Sequence, residues 1–351
     1  MSDVLVGALT VLLATNPPAA LTNLVLEKTG LSVLQSRTND PVARELQLIL
    51  DSDDAAQEEI DRWIEESTPE DDPVARIAAS TLRGRIQQRI EPIKNRYKEF
   101  LAAHPTNATA HLAFGSFLNA YGEEPAAIES WEQARRLDPR NPAAWNNLAN
   151  AYAHSGPVEK SFPMFEEAIR LNPVEPVYLH NYGTLVFMFR RDATNHFKCD
   201  EQEVFQKAFG LYQRAITLDP DNFQLAADVA QTYYGWRLPK GTNAVDSVRV
   251  ELELATTAMK AWTNALTLAP TEVDREGVQL HFARWNIRLG RLEEASQNLS
   301  TVTNEAHSVI RRRLEKTLKE RGLEMSRRPS EGSEPLPTPG LPATPTPEPT
   351  P

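Results

Sequence analysis

The chain has 351 residues, 41% of them hydrophobic, which is enough for a sizeable core; length alone suggests about two domains. A formal net charge of −11 excludes wholesale binding to nucleic acid. The single cysteine, Cys199, excludes an intramolecular disulfide and fits a reducing compartment, the cytoplasm.

In chain order, the first feature is an eleven-residue apolar run, Val4–Ala14. A spanning helix needs about 20 residues. A secretory signal needs a basic leading region, and the first basic residue here is Lys28. The run therefore reads as a buried helix packed on Ala19–Lys28, with a shallow membrane anchor as the rival. Residues 1–75 read as an N-terminal region of several short helices without a repeat. Within it, Asp51–Asp72 holds eleven acids and one arginine, the composition of a solvated helix and turn. Pro73–Ala103 reads as one long helix. Its Ile93, Tyr97 and Phe100 are in register for the second helix of a preceding half-unit, which places a boundary at 76–104.

Pro105, Pro139 and Pro173 are spaced by 34 residues, and each closes a helical pattern: KEFLAAHP, EQARRLDP and EEAIRLNP. The same ending returns at QRAITLDP (Pro220) and TNALTLAP (Pro270). A proline there stops one helix and sets the turn into the next. Between these marks, large and small residues alternate in a fixed order. Trp145, Leu148, Ala149 and Tyr152 precede a turn at Gly156; Ser161, Phe165, Ala168 and Pro173 come after it. The preceding unit carries His111, Phe114, Gly115, Gly122, Ala127, Trp131, Ala134 and Pro139 at the same offsets. Two antiparallel helices approach closely only where side chains are small. Gly115 or Ala149 on a first helix therefore faces Ala127 or Ser161 on a second.

This pattern resembles the tetratricopeptide repeat family, a 34-residue helix–turn–helix with such a signature. Ser161 stands where that family usually has alanine, and His111 stands at its leading aromatic position. The resemblance covers about 105–302. It implies an all-α solenoid of about five units in a right-handed superhelix, because one helix pair cannot bury its own apolar face. Unit three, Pro176–Pro220, carries extra residues near 190–203. Unit four carries them near 235–250. Both insertions fall between the two helices of a unit and should project from one edge. Unit five ends without the closing proline. Residues 303–328 read as a basic capping helix with Arg311, Arg312, Arg313, Lys316, Lys319 and Arg321. Residues 329–351 hold nine prolines and almost no apolar residues, which predicts a disordered tail.

No HExxH, GxSxG or phosphate-loop motif is present. His196, Cys199 and Asp200 lie together in the first insertion, but a tetrahedral metal site wants a fourth ligand and a second ligand pair. No cofactor or metal is expected, and an enzyme with a site in the insertions is the least supported reading. What remains is a surface. The resemblance implies that first helices line a concave groove that holds a partner peptide or helix. Asn147, Asn181 and Asp228 share one offset in units two to four, and Asn150 lies one turn beyond Asn147. A side-chain amide both donates and accepts, so such a row suits an extended backbone, or else ties neighbouring helices together. The offsets at which chaperone-binding members carry Lys and Arg hold Leu112, Ser116, Val177 and Asn181 here, which argues against that activity. The expected function is a non-catalytic, cytoplasmic scaffold or adaptor binding another protein. A membrane- or envelope-associated assembly adaptor anchored by the apolar N-terminus is the alternative.

Overall fold

The computed structural model describes residues 40–65, 73–236 and 244–327. The apolar run Val4–Ala14, the proline-rich tail and the centre of the second insertion lie outside these residues. Every described element is helical. The chain divides into two compact units, one ending at Val278 and one beginning at Gln279.

The first unit opens with α1 (Pro41–Glu65) and α2 (Pro73–Ala103). On α1, Leu46, Ile49, Ala56 and Ile60 recur at helical spacing, and all are buried. They face Ile90, Ile93, Tyr97 and Phe100 of α2 in one continuous core. Polar pairs along the seam fix an antiparallel register. Arg85 lies 3.8 Å over the Trp63 ring, Arg89 pairs with Glu59 at 2.8 Å, and Arg96 donates to Ser52 Oγ at 2.7 Å. The described part of the N-terminal region is a single 25-residue helix, whose apolar positions Leu46, Ile49, Ala56 and Ile60 run into the acidic stretch and are interrupted by Asp53. One expectation changes here. The acids are not all solvated: Asp61 is buried, and Asp53 sits on the stripe itself, accepting from Tyr97 Oη at 3.1 Å. Burial, partly offset by that hydrogen bond, pushes the Asp53 carboxyl up to about 7.

Four helix pairs come next. They are α3 (Ala108–Ala120) with α4 (Glu124–Leu137), and α5 (Pro142–Ser155) with α6 (Ser161–Leu171). Beyond them lie α7 (Pro176–Met188) with α9 (Glu201–Leu218), separated by α8 (Arg190–Phe197), and then α10 (Phe223–Thr232) with α11 (Ala244–Leu268). The link before each first helix supplies an acceptor for an otherwise unpaired helix N–H. Asn107, Asn141, Glu175 and Asn222 each accept from a backbone N–H in the first turn. Close crossing depends on small residues. A Cβ on Gly115 would lie 2.5 Å from Trp131, and one on Gly183 would lie 3.1 Å from Tyr212.

The substitution of His111 for the usual aromatic residue has a simple basis. His111 Nε2 meets the Pro105 carbonyl at 3.0 Å, and Trp145 Nε1 donates to the Pro139 carbonyl at 2.9 Å. A carbonyl only accepts, so the imidazole carries its proton on Nε2 and repeats the indole's bond one unit earlier. Pro163 goes with a delayed helix start: α6 has 11 residues against 14 in α4. A 3₁₀ turn at Val158–Lys160 precedes α6, and Pro163 falls in that helix's first turn, where its missing N–H costs nothing.

The first insertion forms α8, which is tied down at both ends. His196 Nε2 meets Glu166 Oε1 at 2.9 Å, and its ring stacks on Phe162 at 4.7 Å; Arg190 pairs with Glu201 at 3.2 Å. Part of the second insertion is absorbed as extra N-terminal turns of the 25-residue α11.

In the second unit, the C-terminal part of α12 (Glu272–Leu289) packs Leu280, Ala283 and Ile287 against Ala295 and Leu299 of α13 (Leu292–Ser300) and Leu314 of α14 (Ser308–Arg327). Gly290 takes a positive φ of 74° at the α12–α13 turn. The basic residues of α14 largely face solvent or pair along the helix, as in Arg311 with Glu315 and Arg321 with Glu324.

Candidate functional site

The first helices α3, α5, α7 and α10 are joined by side-chain polar groups. Asn147 Nδ2 donates to Ser116 Oγ at 3.4 Å, and Asn146 Nδ2 donates to Asn147 Oδ1 at 3.2 Å. Asn181 Nδ2 then donates to Asn146 Oδ1 at 3.0 Å. One chain of hydrogen bonds therefore crosses from α3 through α5 to α7. Between α7 and α10, His180 Nε2 meets Asp228 Oδ2 at 2.5 Å, while Gln224 Nε2 donates to Asp228 Oδ1 at 3.2 Å. Thr184 Oγ1 lies 3.0 Å from Tyr212 Oη. Burial, reinforced by the Asp228 charge, pushes the Tyr212 phenol well above its usual range, so it stays neutral.

The four residues of the expected row are not equivalent. Asn147 is buried, with 4% of its surface exposed, and both ends of its amide are engaged within the fold. Asn150, Asn181 and Asp228 are half-buried, and Asn181 has spent one N–H on Asn146. A primary amide has a second N–H and two lone pairs, so Asn181 keeps capacity toward a ligand. Asn146 is the centre of the ladder, and His180 is the partner of Asp228. Each stands immediately before a residue of the row, Asn147 and Asn181, at matching offsets in units two and three. That repeated pair of polar residues was the available signal.

The ladder gives a stability prediction. Asn146 has 0% of its surface exposed. Asn146→Leu would leave Asn147 Oδ1 and Asn181 Nδ2 without their partner, and an unpaired polar group in such a setting costs about 1–3 kcal/mol. Urea unfolding should show a lower midpoint with an unchanged slope. An unchanged midpoint would mean that the ladder contributes nothing to stability.

His196, Cys199 and Asp200 serve the local fold. His196 anchors α8, half-buried Cys199 has its thiol pushed up by burial, and Asp200 caps α9 in a reciprocal box with Glu203. Among the described residues, no three His, Cys, Asp or Glu side chains gather as a metal site would require. Nor is any described helix long and apolar enough to cross a membrane.

Residues 115–156 match the family model described as TPR repeat, from the second half of α3 to the end of α5. This stretch is a tetratricopeptide repeat. Among curated proteins it is similar to the photosystem I assembly protein Ycf3 of Prochlorococcus marinus (strain MIT 9211). Identity there is 25% over 128 residues, covering 35% of this chain and 73% of that protein. It is also similar to the Ycf3 of Rippkaea orientalis (strain PCC 8801 / RF-1), at 27% over 128 residues, covering 34% and 74%. Among solved structures, PilW, a type IV pilus biogenesis factor, superposes with a TM-score of 0.51 at 13% identity. That match covers 78% of this chain and 99% of PilW and shows a shared helical-repeat fold. A helical-repeat fold of this kind supports a role in protein–protein interaction.

Proposed function

We propose that this protein is a non-catalytic adaptor that holds an extended segment of a partner protein across the first-helix face of units one to four, in the cytoplasm. The carrying observation is the polar row on that face. Its buried members lock the helices together, and its half-buried members Asn150, Asn181 and Asp228 keep hydrogen-bonding capacity outward. A rigid row of amides recognises peptide groups with little cost in ordering, because the fold already orders it. The Ycf3 relatives are named as assembly proteins, and a role in bringing a multi-protein assembly together suits this arrangement.

The test compares capture of partners from native lysate by the full chain and by two variants. One is Asn150→Ala with Asn181→Ala and Asp228→Ala; the other is Arg136→Ala with Lys207→Ala on the second helices. Both must retain helicity by circular dichroism. A partner lost from the first variant and kept by the second supports the first-helix face. A partner kept by both, or lost from the second variant alone, sinks the assignment.

A further inference from the structure

The first-helix face is electrically almost blank. Across α3, α5, α7 and α10 the one formally charged side chain is Asp228. The chain as a whole is 24% charged, so composition alone does not produce such a face. The charges sit on the second helices instead, for example Glu129, Glu132, Arg135 and Arg136 on α4 and Glu166, Glu167 and Arg170 on α6.

This distribution restricts what can lie there. A charged ligand side chain pressed on neutral helices loses water and gains no counter-charge, which is unfavourable. An uncharged segment avoids that cost. Asp228 is the exception on the face. Its side chain and that of His180 keep 18% and 23% of their surface exposed, so a ligand group can reach them while little water screens the contact. Each carboxylate oxygen already accepts one bond, from His180 and from Gln224. A carboxylate offers about four acceptor sites, so room remains for a further donor. Cationic donors make the strongest such bonds. No Lys or Arg on the four first helices competes for the place.

We propose that the occupant is an extended peptide segment of a partner protein, uncharged except for one Lys or Arg set against the His180–Asp228 pair. This rests on the adaptor reading above and adds the chemistry of its ligand. The half-buried amides of Asn150 and Asn181 would meet its peptide groups, and Asp228 would set its register through the single cation.

The experiment uses the full chain and three immobilised dodecapeptide libraries. Their termini are capped, and every position is a mixture of uncharged residues except a central one fixed as Lys, Gln or Glu. The expected order of retention is Lys over Gln over Glu, with about tenfold between Lys and Glu, falling as salt rises. Asp228→Asn should level Lys with Gln, while Asp228→Glu should keep the preference, which separates loss of the charge from loss of the fold. Equal or better retention of the Glu library overturns the proposal. So does failure to retain any library, or a Lys preference that survives Asp228→Asn. Capture of the lysate partner is a separate readout. If it still depends on Asn150, Asn181 and Asp228 while the charge order is absent, the ligand class is wrong and the adaptor reading stands.

Discussion

Gly115→Ala should lower the unfolding free energy by about 2 kcal/mol, although alanine is the better helix former. The new methyl group would sit 2.5 Å from Trp131 Cδ1. The indole has no room to retreat, because Trp131 is 4% exposed and its Nε1 donates to the Leu112 carbonyl at 3.2 Å. The helix pair must therefore open or the hydrogen bond must break. The same substitution at Gly84 provides the control. Gly84 is exposed inside α2, and nothing lies within 4 Å of where its Cβ would go. Gly84→Ala should stabilise by up to about 1 kcal/mol through helix propensity alone. Urea titrations of the two variants should move in opposite directions. If both stabilise, the α3–α4 crossing is not limited by contact at Gly115.

Stability should fall by about 2 kcal/mol between pH 5 and pH 8, and Asp53→Asn should abolish most of that fall. The Asp53 carboxyl rises from its ordinary 3.8 to about 7, chiefly through burial, with Tyr97 lowering it by its hydrogen bond and Asp54 raising it by its charge. A raised carboxyl holds its proton more tightly in the folded chain than in the unfolded one. Its contribution is thus complete below pH 3.8, declines as pH climbs through about 7, and is flat above. The whole shift corresponds to about 4 kcal/mol at 1.36 kcal/mol per unit; roughly a third of it is lost by pH 5, and the remainder, about 2–3 kcal/mol, between pH 5 and pH 8. Asp54 is shifted the same way and Tyr121 also feels the Asp53 charge, so the difference between wild type and Asp53→Asn is the informative quantity. An asparagine still accepts from Tyr97. The advantage of the variant over wild type should be larger at pH 8 than at pH 5, by about 2 kcal/mol. Parallel stability curves would show that Asp53 is ionised in the folded protein throughout.

The repeat was legible because its determinants are local. The 34-residue spacing of Pro105, Pro139 and Pro173, and glycine or alanine where helices cross, are properties of short windows. The α1–α2 pair was harder to read for a definable reason. Asp53 occupies a place between Ile49 and Ala56 where periodicity demands an apolar residue, and eleven acids over Asp51–Asp72 hide the stripe. Composition described the solvent face of that helix and missed its buried one. The candidate site was half legible. Offsets located Asn147, Asn150, Asn181 and Asp228, but a side chain's depth depends on the neighbouring unit, which no single window contains. Asn147 turned inward and Asn181 partly outward from the same offset. Asp228 found its partner His180 on a helix 48 residues away in sequence.

The inserted α8 bears on chain entropy. Closing a loop costs about (3/2)RT ln n, so each doubling of the link between α7 and α9 adds only about 0.6 kcal/mol. The stack of His196 on Phe162 and the ion pair of Arg190 with Glu201 are of the size needed to offset that cost. An additional helix at this junction is therefore close to neutral for folding. The same junction is where foreign sequence, a tag or a second binding module, should be accepted with the least disturbance to the repeats.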